Sequence, residues 1–151
     1  MKKGFTLIEM MITVAIMAII AAIAYPSYTQ FILKNEASKV QTRMLELSQS
    51  LERHKSQNFS YKGFPIASED IGDPKKYTIT IVGAVATDSS GSEKHESIAS
   101  SGSSWAMKAI STDTKNYSFL MNNLGLKCRN KLAIKVTYLS CGGTSDGSET
   151  W

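Results

Sequence analysis

A run of 24 residues without a charged side chain, from Met10 to Leu33, most constrains how this chain of 151 residues can fold. As an α-helix, at about 1.5 Å per residue, the run extends about 36 Å, which is enough to cross the hydrocarbon layer of a membrane. Between Phe5 and Leu33, 22 of 29 residues are hydrophobic, against 41 of 118 from Lys34 to Trp151. Because 118 residues can bury only one modest core, a large multidomain enzyme is excluded.

The charges that flank this segment predict how it crosses a membrane. Lys2 and Lys3 precede the apolar run and Lys34 follows it. The positive-inside rule then favours a single pass with a cytoplasmic N-terminus and places most of the chain on the outer side. A secretory signal peptide is one interpretation, because Ala22-Ile23-Ala24 before Tyr25 has the small-x-small form of a cleavage site.

One carboxylate inside the apolar segment argues against a disposable signal. A charge such as that of Glu9 costs about 2.5–3.5 kcal/mol on membrane-insertion scales, so it is a functional feature by default. A secretory signal peptide and an ordinary signal anchor both leave this carboxylate without a partner. A new amino terminus created close to Glu9 would supply a cation, and a carboxylate in the first turn also complements the helix dipole.

The residues around this carboxylate carry a specific resemblance. The run Lys2-Lys3-Gly4-Phe5-Thr6-Leu7-Ile8-Glu9, followed by the apolar stretch, resembles the type III signal of type IV pilins and related pseudopilins. The similarity continues through Ala24–Tyr28 and, more loosely, to Asn58–Tyr61. This part of the chain resembles the PilE-like minor pilins more than it resembles major pilins.

The resemblance implies a processing and assembly role for the N-terminal segment. A prepilin peptidase would cleave between Gly4 and Phe5, Phe5 would be N-methylated, and Glu9 would pair with the amine of a neighbouring subunit. The implied function is a structural subunit, a minor pilin, of a type IV pilus that supports pilus biogenesis, adhesion, twitching motility or DNA uptake. Such a subunit is not an enzyme. The alternatives are a major pilin, a DNA-binding uptake pilin and a type II secretion pseudopilin.

The same resemblance implies where the subunit resides and what it contacts. Before assembly it would lie in the inner membrane as a single-pass protein with a cytoplasmic N-terminus, and after assembly in the extracellular pilus. The expected partners are other major and minor pilins, the prepilin peptidase, the inner-membrane assembly platform and membrane lipid. DNA is a further candidate partner.

The sequence predicts an α+β fold in which a long N-terminal helix packs on a small antiparallel sheet, and the resemblance implies the pilin fold. From Leu33 to His54, apolar side chains recur three or four residues apart, so this part of the helix is amphipathic. Pro26 predicts a kink or local melting. The predicted segments are a cleaved leader at 1–4, a hydrophobic transmembrane and assembly helix at 5–33, an amphipathic half at 34–56, and a globular β-sheet head with a disulfide loop at 57–151.

Alternation of apolar and polar residues predicts the strands of the head. The expected strands are Tyr77–Val82, Trp105–Ser111, Tyr117–Met121 and Ala133–Leu139. Residues 59–76 are interrupted by glycine and proline and are expected to form an irregular connection. Asp88 to Ser104 contains eight serines and two glycines, which is typical of an exposed, flexible loop.

Cys128 and Cys141 are the only cysteines, and they flank the strand expected at Ala133–Leu139. Because both lie beyond the membrane helix, on the oxidising side, we expect them to form a disulfide. Closing so short a loop stabilises a fold by about 3 kcal/mol in the chain-entropy model. The pair also resembles the disulfide-bonded region of pilins.

The candidate motifs for catalysis or metal binding lack residues that those functions require. Gly143–Gly147 has the spacing of a nucleophile elbow, but that motif needs a following helix and a later histidine, and only four residues follow it. His54 and His95 lack neighbours at ligand spacing and are expected at the surface. We therefore expect no catalytic residue, no metal and no cofactor.

The one cluster that could add an activity is basic. Between Lys115 and Lys135 there are five basic residues and no acidic one, and four of them surround the expected disulfide loop: Lys127, Arg129, Lys131 and Lys135. Such a cluster could neutralise DNA phosphates, with Tyr138 available to stack on a base. The other interpretation is a solvated edge strand kept from pairing by lysine. We favour the second, because residues 34–151 hold 15 basic and 12 acidic residues, a balance of only +3.

Overall fold

The computed structural model describes residues 4–72 and 74–151, so most of the predicted leader, residues 1–3, lies outside the described residues. One long helix, α1 (Leu7–Asn58), precedes the strands of the head. The strands are β1 (Ser68–Ile71), β2 (Tyr77–Thr87), β3 (Glu93–Ser97), β4 (Ala106–Ser111), β5 (Ser118–Asn122), β6 (Lys127–Asn130) and β7 (Glu149–Thr150). This architecture confirms the predicted α+β class. The chain divides into two compact units, Met1–Asn35 and Glu36–Trp151.

The first unit contains the apolar half of α1, which exposes its large hydrophobic side chains. Leu7 is 79% exposed, Met17 70% and Ile23 70%. By length and composition α1 could cross a membrane. An apolar surface of this extent needs lipid or protein around it. The chain stays helical through Pro26, so the expected local melting is wrong, while the kink stays a prediction.

The second unit has its main core between the polar half of α1 and one face of the sheet. The predicted stripe is confirmed, because its four central side chains are at most 1% exposed: Val40, Met44, Leu47 and Leu51. They belong to the same buried cluster as Ile79, Met107 and Phe119 from the centre of the sheet. Side chains that recur with the helix period of 3.6 therefore pack in one core with side chains that recur with the strand period of 2.

The sheet is antiparallel, and its strands lie in the order β1-β2-β4-β5-β6-β7, with β3 paired to the far end of β2. The register sets Ile79 opposite Ala109 and Phe119 opposite Arg129. The predicted strands at 77–82, 105–111 and 117–121 are confirmed to within one residue at both ends, except that β2 continues five residues beyond its predicted end, to Thr87. The expectation of an irregular connection over 59–76 is wrong at β1, which pairs with the first residues of β2.

The strand expected at Ala133–Leu139 is wrong. Ala133–Lys135 forms a 3₁₀ turn, and no residue of 133–139 belongs to the described strands. Val136 and Tyr138 are buried because they contact the outer face of the sheet, with Leu120 and Ala106 among their neighbours. The alternation of apolar and polar residues therefore indicates which side chains are buried. It does not indicate a strand with a ladder of hydrogen bonds. As a result, both faces of the sheet are covered.

The loop expected over Asp88–Ser104 is also wrong in part. It contains β3, and Ile98 is fully buried. One glycine serves close packing here: a Cβ at Gly102 would overlap the hydroxyl of Ser60, and the Tyr61 amide donates to the Gly102 carbonyl at 3.1 Å. Gly102 lets two backbones approach, which is a use of glycine other than flexibility.

Candidate assembly segment and nucleic-acid interface

The N-terminal candidates lie at the start of α1. Gly4 and Phe5 precede the helix in irregular, exposed chain. Glu9 forms a capping box with Thr6: the Glu9 amide donates to the Thr6 hydroxyl at 3.3 Å, and the Glu9 carboxylate accepts from the Thr6 amide at 3.4 Å. The carboxylate therefore satisfies a backbone donor at the positive end of the helix dipole.

The two cysteines form the predicted disulfide. Cys128 and Cys141 are joined, with Cα atoms 5.9 Å apart and a sequence separation of 13. Both are buried against Leu120 and Val136 on the outer face of the sheet. The disulfide therefore joins β6 to the covering segment, which we define as residues 131–147.

A buried asparagine, absent from the sequence-based candidates, also holds this segment. Asn130 is 1% exposed. Its side-chain amide donates to the carbonyls of Cys141 at 2.8 Å and Asp146 at 3.1 Å, and its oxygen accepts from the Leu132 amide at 2.9 Å. One side chain thus ties both limbs of the covering segment to β6. The signal for it is local: Asn130 follows Cys128 by two residues and so shares its face of the strand.

The basic candidates divide between two places. Side chains of β6 alternate, so Lys127 and Arg129 lie on the face opposite Cys128 and Asn130. Lys131 follows the strand and is exposed. The fourth candidate, Lys135, lies in the 3₁₀ turn. We call Lys127, Arg129 and Lys131 the basic edge.

Two half-buried aromatic rings lie among the cations of the basic edge. The Lys127 ammonium is 5.7 Å from the centroid of the Trp151 ring. The Arg129 guanidinium carbon is 4.4 Å and the Lys131 ammonium 5.3 Å from the centroid of the Tyr117 ring. These distances fit cation–π contact, which holds the charges over the rings while leaving them near solvent.

Carboxylates neutralise part of the charge of the four basic candidates. Arg129 donates to the Glu149 carboxylate at 2.6 Å, and the Lys135 ammonium lies 3.5 Å from that of Asp146. The hydrogen bond from Arg129 lowers the pKa of Glu149, so this carboxylate stays ionised to a lower pH than an ordinary glutamate. The pair contributes to stability above the ordinary carboxyl pKa and is lost as the pH falls through the lowered value. Among the described residues, Lys127 and Lys131 form no ion pair.

The aromatic residue proposed from sequence is the wrong one. Tyr138 is 4% exposed and lies under the Lys108 ammonium, 4.2 Å from it, so it cannot stack on a base. The rings at the basic edge are Tyr117 and Trp151. Tyr117 could have been found from the register, since Ser118 opposes Asn130 and the preceding residue therefore meets Lys131. Trp151 lies beside the edge because β7 returns along β6.

The histidines do not form a further site. His54 is half-buried, with its ring 5.7 Å from that of Phe64 and Nε2 3.0 Å from the Lys62 carbonyl. His95 is exposed beside Tyr138, so the surface expectation is confirmed for His95 and only partly for His54. Within residues 4–72 and 74–151, no three His, Cys, Asp or Glu side chains are grouped so that they could hold a metal ion.

Comparison with protein families gives two adjoining matches. Residues 1–25 match the prokaryotic N-terminal methylation motif, and residues 26–120 match the family described as "Type IV minor pilin ComP, DNA uptake sequence receptor". The helix, sheet and methylation motif together define a type IV pilin, as the sequence predicted. Because the second match covers more than half of the chain, the protein belongs to this family of type IV minor pilins.

Similar curated proteins are fimbrial subunits. The chain is 44% identical over 52 residues to the type IV major fimbrial protein FimA of Dichelobacter nodosus, covering 34% of this chain and 33% of the relative. It is 54% identical over 39 residues to fimbrial protein Q of Moraxella bovis, covering 26% and 25%. The match thus spans a third or less of the length of these relatives. No solved structure matches the chain.

Proposed function

We propose that this type IV minor pilin is a DNA receptor whose basic edge contacts the phosphates of a duplex. The observation that carries the proposal is the convergence of Lys127, Arg129 and Lys131 on two aromatic rings at one edge of the sheet. The printed description of the matched family, a DNA uptake sequence receptor, supports the same activity. The proposal differs from the interpretation as a solvated edge strand, which the small net charge favoured.

The geometry suggests how the edge would hold DNA. Lys127 and Lys131 offer point charges to the backbone, whereas Arg129 offers a planar fork that now binds Glu149. A phosphate would replace that carboxylate as the partner of Arg129. Contacts of this kind release counterions from the duplex, so binding falls as salt rises. They position the duplex but carry no sequence information.

We expect the full processed chain, in a nonionic detergent, to retard a 30-base-pair duplex with a random centre. With three phosphate contacts, the slope of log affinity against log salt is about −2.7, which weakens binding about fortyfold between about 50 and 200 mM salt. The double variant Lys127→Glu, Lys131→Glu should lose this binding. Its matched control is Lys62→Glu, Lys94→Glu, which changes the net charge equally on exposed side chains away from β6.

Two outcomes would contradict this proposal. The first is wild-type protein that gives no salt-sensitive retardation at low salt. The second is an equal loss of binding in both double variants, which would show that only net charge matters. A preserved Cys128–Cys141 disulfide in each variant, measured by thiol labelling, confirms that the head is still folded.

We further propose that the N-terminal segment is processed and assembled as in other pilins. Its match to the methylation motif supports cleavage between Gly4 and Phe5 by the prepilin peptidase and N-methylation of Phe5. The exposed apolar half of α1 fits membrane anchoring before assembly and burial among other pilins afterwards. A single pass through the inner membrane, contact with the assembly platform, an assembly role for Glu9 and a kink at Pro26 complete the proposal.

Intact-mass analysis of membrane-extracted protein tests the processing step. We expect a mass that corresponds to loss of Met1–Gly4 and gain of one methyl group. The same analysis on a Gly4→Val variant should give the uncleaved chain, because the larger side chain blocks the scissile position. A mature chain that begins at Tyr25 would instead support a secretory signal peptide.

A further inference from the structure

The turn that follows the basic edge presents apolar side chains to solvent. Within the covering segment, Leu132 is 54% exposed and Ile134 is 87% exposed. Ile134 lies in the 3₁₀ turn at Ala133–Lys135 and Leu132 directly precedes that turn; the Lys135 amide donates to the Leu132 carbonyl at 2.9 Å. A single exposed apolar residue is ordinary, but two exposed apolar residues only two positions apart need a reason.

This turn is firmly anchored, so its exposed side chains are held in place. Asn130 binds the Leu132 amide on one side, and Val136, 3% exposed, is buried on the other. The Cys128–Cys141 disulfide closes the loop beneath both. Anchors at both ends leave Ile134 little freedom to fold back onto the sheet. A contact made by this side chain would therefore lose little conformational entropy.

The charges around the turn indicate an anionic partner. Lys131 precedes the apolar pair, and Lys135, whose ammonium lies 3.5 Å from the Asp146 carboxylate, directly follows Ile134. Lys131 is also the last cation of the basic edge, so the turn directly follows along the chain the surface that we propose for DNA. Apolar side chains flanked by cations are the arrangement by which many DNA-bending proteins insert a wedge between base steps while cations hold the adjoining phosphates.

We propose that Ile134, supported by Leu132, inserts as a wedge between two base steps of the duplex bound at the basic edge. This inference rests on the proposed DNA-receptor function and adds a deformation of the ligand to it. Wedge insertion unstacks a step and kinks the duplex by about 20–90°. Pyrimidine–purine steps unstack most easily, so the kink gives a preference for sites that contain TA or CA steps.

Fluorescence energy transfer between dyes at the two ends of a 30-base-pair duplex that has a central TA step tests the wedge. With full-length wild-type chain in nonionic detergent, we expect the ends to approach on binding. Ile134→Ala should abolish this approach while affinity falls less than about tenfold, since phosphate contacts carry most of the binding. The matched control is Leu124→Ala, because Leu124 is 84% exposed in the turn at the opposite end of β6.

The outcomes separate the wedge from the receptor function. No retardation of DNA by wild type overturns the proposed receptor and the wedge together. Retardation with no bend, or with a bend that Ile134→Ala retains, overturns the wedge alone. If Ile134→Ala bends DNA as wild type does but is present in fewer copies in sheared pili, the wedge is overturned and the turn is assigned to a contact between subunits. Binding of wild type, but not Ile134→Ala, to anionic lipid vesicles without any DNA bend would assign it to a membrane surface.

Discussion

Serine at both Cys128 and Cys141 should lower the free energy of unfolding of this protein by about 3 kcal/mol. The disulfide closes a loop with a sequence separation of 13, which limits the freedom of the unfolded chain. It also joins the covering segment to β6, so the variant loses a covalent tie where Val136 and Leu120 are buried. Urea unfolding of the full chain in nonionic detergent, followed by tryptophan fluorescence, measures the change.

Reductant provides the matched control for the disulfide. Added to wild type, it should reproduce the loss of stability, and added to the double-serine variant it should change nothing. An unfolding free energy within about 1 kcal/mol of wild type, a typical error of such extrapolations, would mean that noncovalent contacts alone hold the covering segment. The anchored turn at Ala133–Lys135 would then owe its order mainly to Asn130.

Glu9→Ala should enter the membrane at least as well as wild type but should be at least about tenfold depleted from sheared pili. Insertion improves because a carboxylate that costs about 2.5–3.5 kcal/mol in the apolar segment is gone. In the assembly that we propose, the amine of a neighbouring Phe5 would lose its counter-charge, and a deficit of about 1.4 kcal/mol is already tenfold. Quantitative mass spectrometry of the membrane and pilus fractions measures both amounts.

The capping box makes a second variant necessary. Glu9→Gln keeps a side-chain oxygen that can accept from the Thr6 amide but removes the charge. Equal depletion of the alanine and glutamine variants assigns the defect to charge pairing. Recovery of the glutamine variant in pili assigns it to helix capping, and wild-type levels of both would remove Glu9 from assembly altogether.

The helix and the three adjacent strands β2, β4 and β5 could be predicted because their signals are local. Val40, Met44, Leu47 and Leu51 follow the helix period, and β2 follows the strand period, so each pattern matches the element that forms. The N-terminal motif is likewise continuous in sequence. The two cysteines could be paired because Cys128 and Cys141 are the only ones in the chain.

The basic edge could not be fully predicted because it depends on register between distant segments. Ala133–Leu139 alternates like a strand, yet β6 takes the ladder position next to β5, and the alternating residues pack across the face. Without β6, nothing in the sequence places Tyr117 beside Lys131 or Trp151 beside Lys127. The role of Asn130 could not be predicted for the same reason, because its hydrogen bonds are made to a segment that folds back over its strand.

A sheet covered on both faces limits where this head could gain or change a binding surface. Phe119 packs toward the helix and Leu120 toward the covering segment, and both are fully buried. Truncating a buried phenylalanine costs about 3–5 kcal/mol, so side chains on either face are constrained by folding. New binding specificity can arise without a large loss of stability only along the rim of the sheet, in turns such as Ala133–Lys135. Minor pilins of this design can therefore diversify by exchanging rim residues while the interior stays fixed.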